Sequence, residues 1–278
     1  MAQFTNQAQL TYGNVVTNSN IAVGEIASVL SATKTAVRQN YNQGSAITYI
    51  VNIINSGSTS ANDLTVNDNL GEYTFGVGTL VPLDYIDGTI LYFANGVLQP
   101  TPTVSADDGL AVTGISVPAN GNVLLVYEAS VNQYAPINEG GTITNTVTIT
   151  GECANVVASE TVTAISEPQL TLAKSISPIP VSCGEAITYT FLIQNTGATA
   201  LVATDNAVVT DTFNPIISDV TATLNGAPIG FSYDEATGLF RTNEGEVTVL
   251  AATITQDLTT GEWSITPGTS TLVVTGTI

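Results

Sequence analysis

LSATKTAVRQNYNQGSAITYIVNIINSGS, from Leu30 to Ser58, and LTLAKSISPIPVSCGEAITYTFLIQNTGA, from Leu170 to Ala198, are two versions of one segment. The shift between them is a constant 140 residues: Lys34 falls on Lys174, Gly44 on Gly184, Tyr49 on Tyr189, Asn55 on Asn195 and Gly57 on Gly197. In the first version Ile47, Tyr49, Val51 and Ile53 alternate with Thr48 and Asn52. In the second, Ile187, Tyr189, Phe191 and Ile193 do the same. A period of two turns one row of side chains into a core and the other towards water, so both segments predict half-buried strands. Asn95-Gly96 and Asn225-Gly226 sit between apolar runs and predict tight hairpins, because both central residues of such a turn need positive φ. No stretch of ten or more residues reads as a helix. Short strands separated by turn signals predict an all-β fold of two tandem immunoglobulin-like β-sandwiches, Greek-key in topology.

Working outward, the repeat extends over most of the 278 residues. Val66 to Leu70 matches Val209 to Phe213 at a shift of 143, and Pro118 to Ala129 matches Pro267 to Ile278 at 149. After Ala129 the first copy continues through a loop, Ser130 to Gly140, into the hairpin TITNTVTITGECANVVASETVTA. The second copy has no such continuation. Its last two strands are found at the front of the chain, where FTNQAQLTYGNVVTNSN matches ITNTVTITGECANVVASE with Phe4, Thr5 and Asn6 on Ile143, Thr144 and Asn145. The organisation expected is a donor hairpin over residues 1–28, a first repeat over 29–166, and a second repeat over 167–278 lacking its last two strands. An incomplete sandwich exposes an apolar cleft and unpaired edges unless a strand from elsewhere fills them. The hairpin is joined directly to the opening strand of the first repeat, at the opposite end from that cleft. Head-to-tail donation between copies is therefore expected, and such non-closing contacts build filaments. Phe4, Ala8 and Leu10 alternate with Thr5, Gln9 and Thr11 and are the expected donor-strand anchors. The bland alternatives are a hairpin packed on its own first repeat, or a piece of a longer tandem protein.

Five elements recur in order: a strand bearing Lys34 or Lys174; G-x-x-I-T-Y at Gly44 and Gly184; N-[ST]-G at Asn55 and Asn195; V-x-D-x-[LF] at Val66 and Val209; and I-T-N-T-V-T at Ile143. This set resembles the surface-protein repeat of bacteria and archaea called domain of unknown function eleven. The resemblance covers nearly the whole chain. It implies immunoglobulin-like modules of extracellular, cell-surface or spore-surface proteins, and adhesion or fibre architecture rather than catalysis.

Composition narrows the partners. Four Lys plus Arg stand against 23 Asp plus Glu, for a net charge of −19, and there is no histidine. A phosphate-binding surface needs clustered cations, so nucleic acid and anionic membranes are excluded as partners. Without histidine, Ser-His-Asp, Cys-His and histidine–metal chemistry are excluded too. No stretch has the length of apolar residues that spans a bilayer, and residues 1–20 lack a secretory signal pattern. The pairs Asp107-Asp108 and Asp84/Asp87 lie beside Gly in turn-like segments, where carboxylates are usually solvated turn formers rather than a glycosidase pair. Calcium could use acidic loops, but no D-x-D-x-D-G loop occurs and no ligand is assigned. No cofactor is expected. The rival reading is an adhesin that does not polymerise, binding its ligand through Asp84 to Thr89 or Asp234 to Gly238. Cys153 and Cys183, in loops expected at opposite poles, form a candidate inter-subunit disulfide, against two inert thiols.

The protein has two lysines, and they occupy equivalent positions. Leu30, Ala32, Lys34 and Ala36 share a strand face, as do Leu170, Leu172, Lys174 and Ile176, so each lysine points inward among apolar neighbours. Asp68 shares a face with Val66 and Leu70, and Asp211 with Val209 and Phe213. Asn145 lies on the apolar row of Ile143, Val147 and Ile149, and Asn6 matches it in the donor strand. A buried lysine tends to lose its proton and a buried aspartate to gain one, which leaves an amine nucleophile beside an acid able to polarise an amide. Loss of ammonia then yields a Lys–Asn isopeptide bond. The pattern resembles the Lys–Asn–acid triads of pilin and adhesin sandwiches. It predicts a bond from Lys34 to Asn145 with Asp68 as catalyst, and one from Lys174 to Asn6 of the next subunit with Asp211 as catalyst. The alternative is a pair of buried salt bridges with the asparagines only hydrogen-bonded.

Overall fold

The computed structural model describes residues 2–26, 29–107, 109–151 and 154–278. Among the described residues it is built of β-strands, with one 3-10 turn at Ala203–Asp205. Two compact units are present: residues 1–39, 45–131 and 144–161 form one, and residues 40–44, 132–143 and 162–278 the other.

The strands of the first repeat form two sheets. One runs in the order Val97–Leu98, Leu91–Ala94, Gly121–Val131, Ala46–Asn55, Leu30–Ala36. The other runs Thr103–Ser105, Leu110–Val117, Ala61–Asp68, Thr142–Gly151, Ala154–Ala164, Asn40–Tyr41. Neighbours crossing between distant parts of the sequence give the Greek-key sandwich read from the alternation. Ile47, Tyr49, Val51 and Ile53 are all buried, while Thr48 and Asn52 are only partly covered. The expected hairpin turns form with Asn95 at φ 46° and Gly96 at φ 78°, and with Asn225 at φ 51° and Gly226 at φ 83°. The N-[ST]-G motif has a local explanation. Asn55 accepts from the Gly57 N–H and donates to the carbonyls of Thr59 and Val117, and Asn195 repeats this with Gly197, Thr199 and Leu250. Each buried amide closes the loop that leads from one sheet to the other.

In the second repeat the first sheet is complete, in the order Leu170–Ser177, Ala186–Asn195, Gly268–Thr277, Ser218–Leu224, Ala227–Pro228. Facing strands are fewer: Thr210–Thr212, Leu239–Thr242 and Phe231–Asp234. Thr210–Thr212 pairs with Leu239–Thr242 on one side, whereas its counterpart Ala61–Asp68 is paired on both. Residues 167–278 hold no counterpart of Thr142–Gly151 or Ala154–Ala164.

The register corrects one detail of the sequence alignment. Gly121 pairs with Asn55 as Gly268 pairs with Asn195, so the last shared strand is related by a shift of 147, not 149. Ile278 is therefore the counterpart of Val131, and Val274, not Gly276, corresponds to Tyr127. The slip arose before this strand. Three residues, 118–120, precede Gly121, whereas eighteen, 250–267, precede Gly268 and include the hairpin Thr253–Gln256 with Trp263–Thr266.

At the amino terminus Ala2–Asn6 pairs with Ala22–Ile26, and Gln9–Tyr12 pairs with Val15–Asn18, as one long antiparallel hairpin. Each of these two ladders is a sheet of its own. Phe4, Leu10, Tyr12, Val15, Val16, Ile21 and Val23 are all exposed. That is a run of apolar surface of the kind which marks an association site.

Candidate functional site

The first repeat brings its predicted residues together. Lys34 sits mid-strand with Val51 as its cross-strand partner, on the inward face predicted for it. Its ammonium donates to Asp68 Oδ2, and both side chains are almost completely buried. The rings of Tyr49 and Tyr127 flank the lysine, with Nζ 4.9 Å and 5.8 Å from their centroids. The Tyr127 hydroxyl also donates to Asp68 Oδ2, and the Leu70 N–H donates to Asp68 Oδ1 at 3.0 Å. Asn145 is fully buried; its Nδ2 donates to the Tyr127 hydroxyl at 3.3 Å, while its Oδ1 has no hydrogen-bond partner. Lysine, aspartate, tyrosine and asparagine thus form one continuous buried chain.

Electrostatics favour a reactive amine. Burial pulls the Lys34 ammonium from 10.5 down to about 8, against the attraction of Asp68. The Tyr127 phenol moves the other way, held well above its ordinary 10.0 by burial and then by the charge of Asp68. The phenol is therefore held neutral, and Lys34 gives up its proton more readily than a solvated lysine does.

The second repeat repeats half of this arrangement. Lys174 donates to Asp211 Oδ2 and lies 4.8 Å from the ring centroid of Tyr189 and 5.5 Å from those of Phe191 and Phe213. Here the side chains are 41% and 19% exposed, against 0% and 2% for Lys34 and Asp68. Every residue of Leu170–Ser177 is exposed, Leu170, Leu172 and Ile176 included. Beside it opens an apolar cleft of about 160 Å³ lined by Leu170, Leu172, Ile193, Leu201, Val209 and Val247. In the first repeat the strand Thr142–Gly151 covers the equivalent surface, with Ile149 set opposite Val66 and fully buried. Asn6, the residue predicted to complete the second site, stands exposed on the amino-terminal hairpin, paired with Ala22.

No protein-family model matches this chain. No curated protein matches it either. Among solved structures, the major pilin subunit of Bacillus cereus is similar over 96% of this chain and 73% of its own, at 10% identity and a TM-score of 0.35. The pilus backbone of Streptococcus pneumoniae is similar over 86% of this chain, at 12% identity and a TM-score of 0.35, and the chain spans 55% of its length. The collagen-binding domain from a Staphylococcus aureus adhesin is similar over 50% of this chain and 99% of its own, at 12% identity and a TM-score of 0.31.

The remaining candidates are placed as follows. Cys183 is free and exposed, and Cys153 lies outside the described residues, as does Asp108. Among the described residues no group of three or more Asp, Glu, Cys or His side chains could hold a metal ion. The acidic loops of the adhesin reading are closed on themselves. Asp234 accepts from the Ala236 N–H and the Thr237 hydroxyl, bonds that lower its carboxyl, and Thr89 Oγ1 donates to the Ile86 carbonyl while accepting from the Glu128 N–H. Sequence reading missed the two tyrosines. Their signal was available, since Tyr127 lies on the inward row of Val123, Leu125 and Ala129, but the slipped alignment set Gly276 opposite it.

Proposed function

We propose that this chain is the structural subunit of a surface filament, one copy inserting its amino-terminal hairpin into the second repeat of the next. One observation carries the reading: a hairpin whose sequence resembles the covering strands Thr142–Gly151 and Ala154–Ala164 presents its apolar side chains to solvent, in a chain whose second repeat leaves the surface beneath such strands open. The repeat fixes the register. Val147, Thr148 and Ile149 pair with Asp68, Asn67 and Val66, so Ala8, Gln9 and Leu10 are to lie opposite Asp211, Thr210 and Val209 of the neighbour. Backbone hydrogen bonds along the free edge of Thr210–Thr212 would supply affinity, and Phe4, Ala8 and Leu10 would fill the cleft. Burying a large apolar side chain contributes roughly 1.5–3 kcal/mol.

The same insertion places Asn6 where Asn145 stands in the first repeat, over Lys174 and Asp211. The filament is then sealed by a Lys174–Asn6 isopeptide bond between copies, matching a Lys34–Asn145 bond within each first repeat. The tandem repeat family that the motifs resemble, with its surface location, fits this role. Removal of residues 1–28 tests it by negative-stain microscopy: the full chain forms filaments and the truncated chain stays monomeric. Normal filaments from the truncated chain would refute donation, and compact particles from the full chain would favour the adhesin.

A further inference from the structure

The Tyr127 phenol lies between the acid and the amide of the first site, and in the second site its strand position is taken by Val274, leaving Tyr189, the counterpart of Tyr49, as the phenol beside Lys174. Its hydroxyl donates to Asp68 Oδ2 and accepts from Asn145 Nδ2 at 3.3 Å, so it touches both the proton store and the nitrogen that must depart. Tyr127 pairs across strands with Tyr49, and the two rings stack at 5.7 Å. The matching partner of Tyr189 is Val274, which carries no hydroxyl. We propose that Tyr127 is the proton carrier of the cross-linking step, a proposal that rests on the isopeptide reading above.

The steps balance as follows. Lys34 passes a proton to Asp68, leaving a neutral amine and a neutral carboxyl. Nζ attacks Cγ of Asn145; the new C–N bond forms as the Cγ–Oδ1 π pair moves onto Oδ1, and amide resonance at Nδ2 is lost. Nδ2 now has a lone pair in place of its former donor geometry. Asp68 gives its proton to the Tyr127 oxygen as the phenolic proton moves to Nδ2. The pair on Oδ1 re-forms the carbonyl as the Cγ–Nδ2 bond breaks, ammonia leaves, and Asp68 takes a proton from the attacking nitrogen. The Lys34 ammonium, the Asn145 amide and the Asp68 carboxylate have become one secondary amide, ammonia and a carboxylic acid, and the phenol is unchanged. Throughout, the phenol stays neutral, consistent with its burial against a carboxylate. The second site, with Val274 in this place, closes more slowly, so each chain completes its internal bond before it is sealed to a neighbour.

The test is made in full-length chain carrying Asn6→Ala, in which only the first site can react. Intact mass is followed over time after synthesis, with near-ultraviolet circular dichroism reporting folding. Without further change the chain becomes lighter by one ammonia. Tyr127→Phe keeps the stacked ring and removes the hydroxyl, and the loss should slow by about a hundredfold or more, the usual scale of positioned acid–base help. An unchanged rate overturns the proposal. If Tyr127→Phe does not fold, 3-fluorotyrosine at position 127 keeps the shape and makes the phenol more acidic. A changed rate then supports the carrier role, and an unchanged rate overturns it. Failure of the Tyr127-containing chain to lose ammonia at all overturns the isopeptide reading itself, a distinct outcome.

Discussion

Leu10→Ala is the perturbation that weighs the donor strand most cleanly. Leu10 corresponds to Ile149, which is fully buried opposite Val66 in the first repeat, whereas Leu10 itself is 70% exposed on the free hairpin. Insertion would carry it into the cleft lined by Leu170, Leu172, Ile193 and Val209. Replacing a buried leucine by alanine costs about 2–5 kcal/mol, because the transfer energy is lost and a cavity remains. Since about 1.4 kcal/mol is tenfold in an equilibrium constant, the junction should weaken roughly thirty-fold to several thousand-fold. Asn6→Ala keeps the junction reversible by removing the amide that would seal it. In that background the concentration needed for half-maximal assembly is read by sedimentation, for Leu10→Ala and for Thr11→Ala. Thr11 is the neighbour on the opposite face, so its change should leave assembly nearly as it was. Equal effects at both positions, or none at Leu10, would refute burial of that face.

Asn145→Ala should abolish loss of ammonia from the first repeat, and by loop-closure entropy alone should lower its stability by about 4–5 kcal/mol; intact mass and thermal unfolding check this. In the same uncross-linked chain, Lys34 holds its proton less tightly folded than unfolded, with a value lowered from 10.5 to about 8. The unfolded chain therefore binds more protons across that window, so stability should rise by about 3 kcal/mol between pH 8 and 10.5, and denaturant unfolding should lose that rise in Lys34→Met. Gln9→Cys with Thr210→Cys tests the register, because directly opposed residues of adjacent strands lie within disulfide reach. With Asn6→Ala, Cys153→Ser and Cys183→Ser also present, non-reducing gels should show ladders that reductant removes for that pair, and none when Thr5→Cys replaces Gln9→Cys.

Most of the architecture was legible because it depends on period-two burial and on turn chemistry. The rows of Ile47 to Ile53 and Ile187 to Ile193 face their cores, and both Asn-Gly pairs adopt the positive φ that only such residues accept readily. Of the predicted sites, Lys34 meets Asp68 directly and Asn145 joins them through the Tyr127 hydroxyl, because the strands that carry them follow the same alternation. Lys174 and Asp211 meet in the same way, without an asparagine above them. Tyr127 escaped notice for a physical reason. On an inward strand row a tyrosine reads as core packing, and nothing local says that its hydroxyl reaches a carboxylate on the other sheet. The slipped alignment hid it further, since repeats match poorly where one has eighteen residues, 250–267, and the other three, 118–120. Asn55 and Asn195 were equally opaque, being buried for the carbonyls of Val117 and Leu250, which lie 62 and 55 residues further along the chain.

The central claim is strand donation between copies, and a high-resolution cryo-electron microscopy reconstruction of the assembled filament tests it directly. Residues 2–26 of one copy should lie along Thr210–Thr212 of its neighbour, Ala8 opposite Asp211, with Leu10 in the cleft beside Val209. Density that leaves this cleft empty, or that folds the hairpin back onto its own chain, would contradict it.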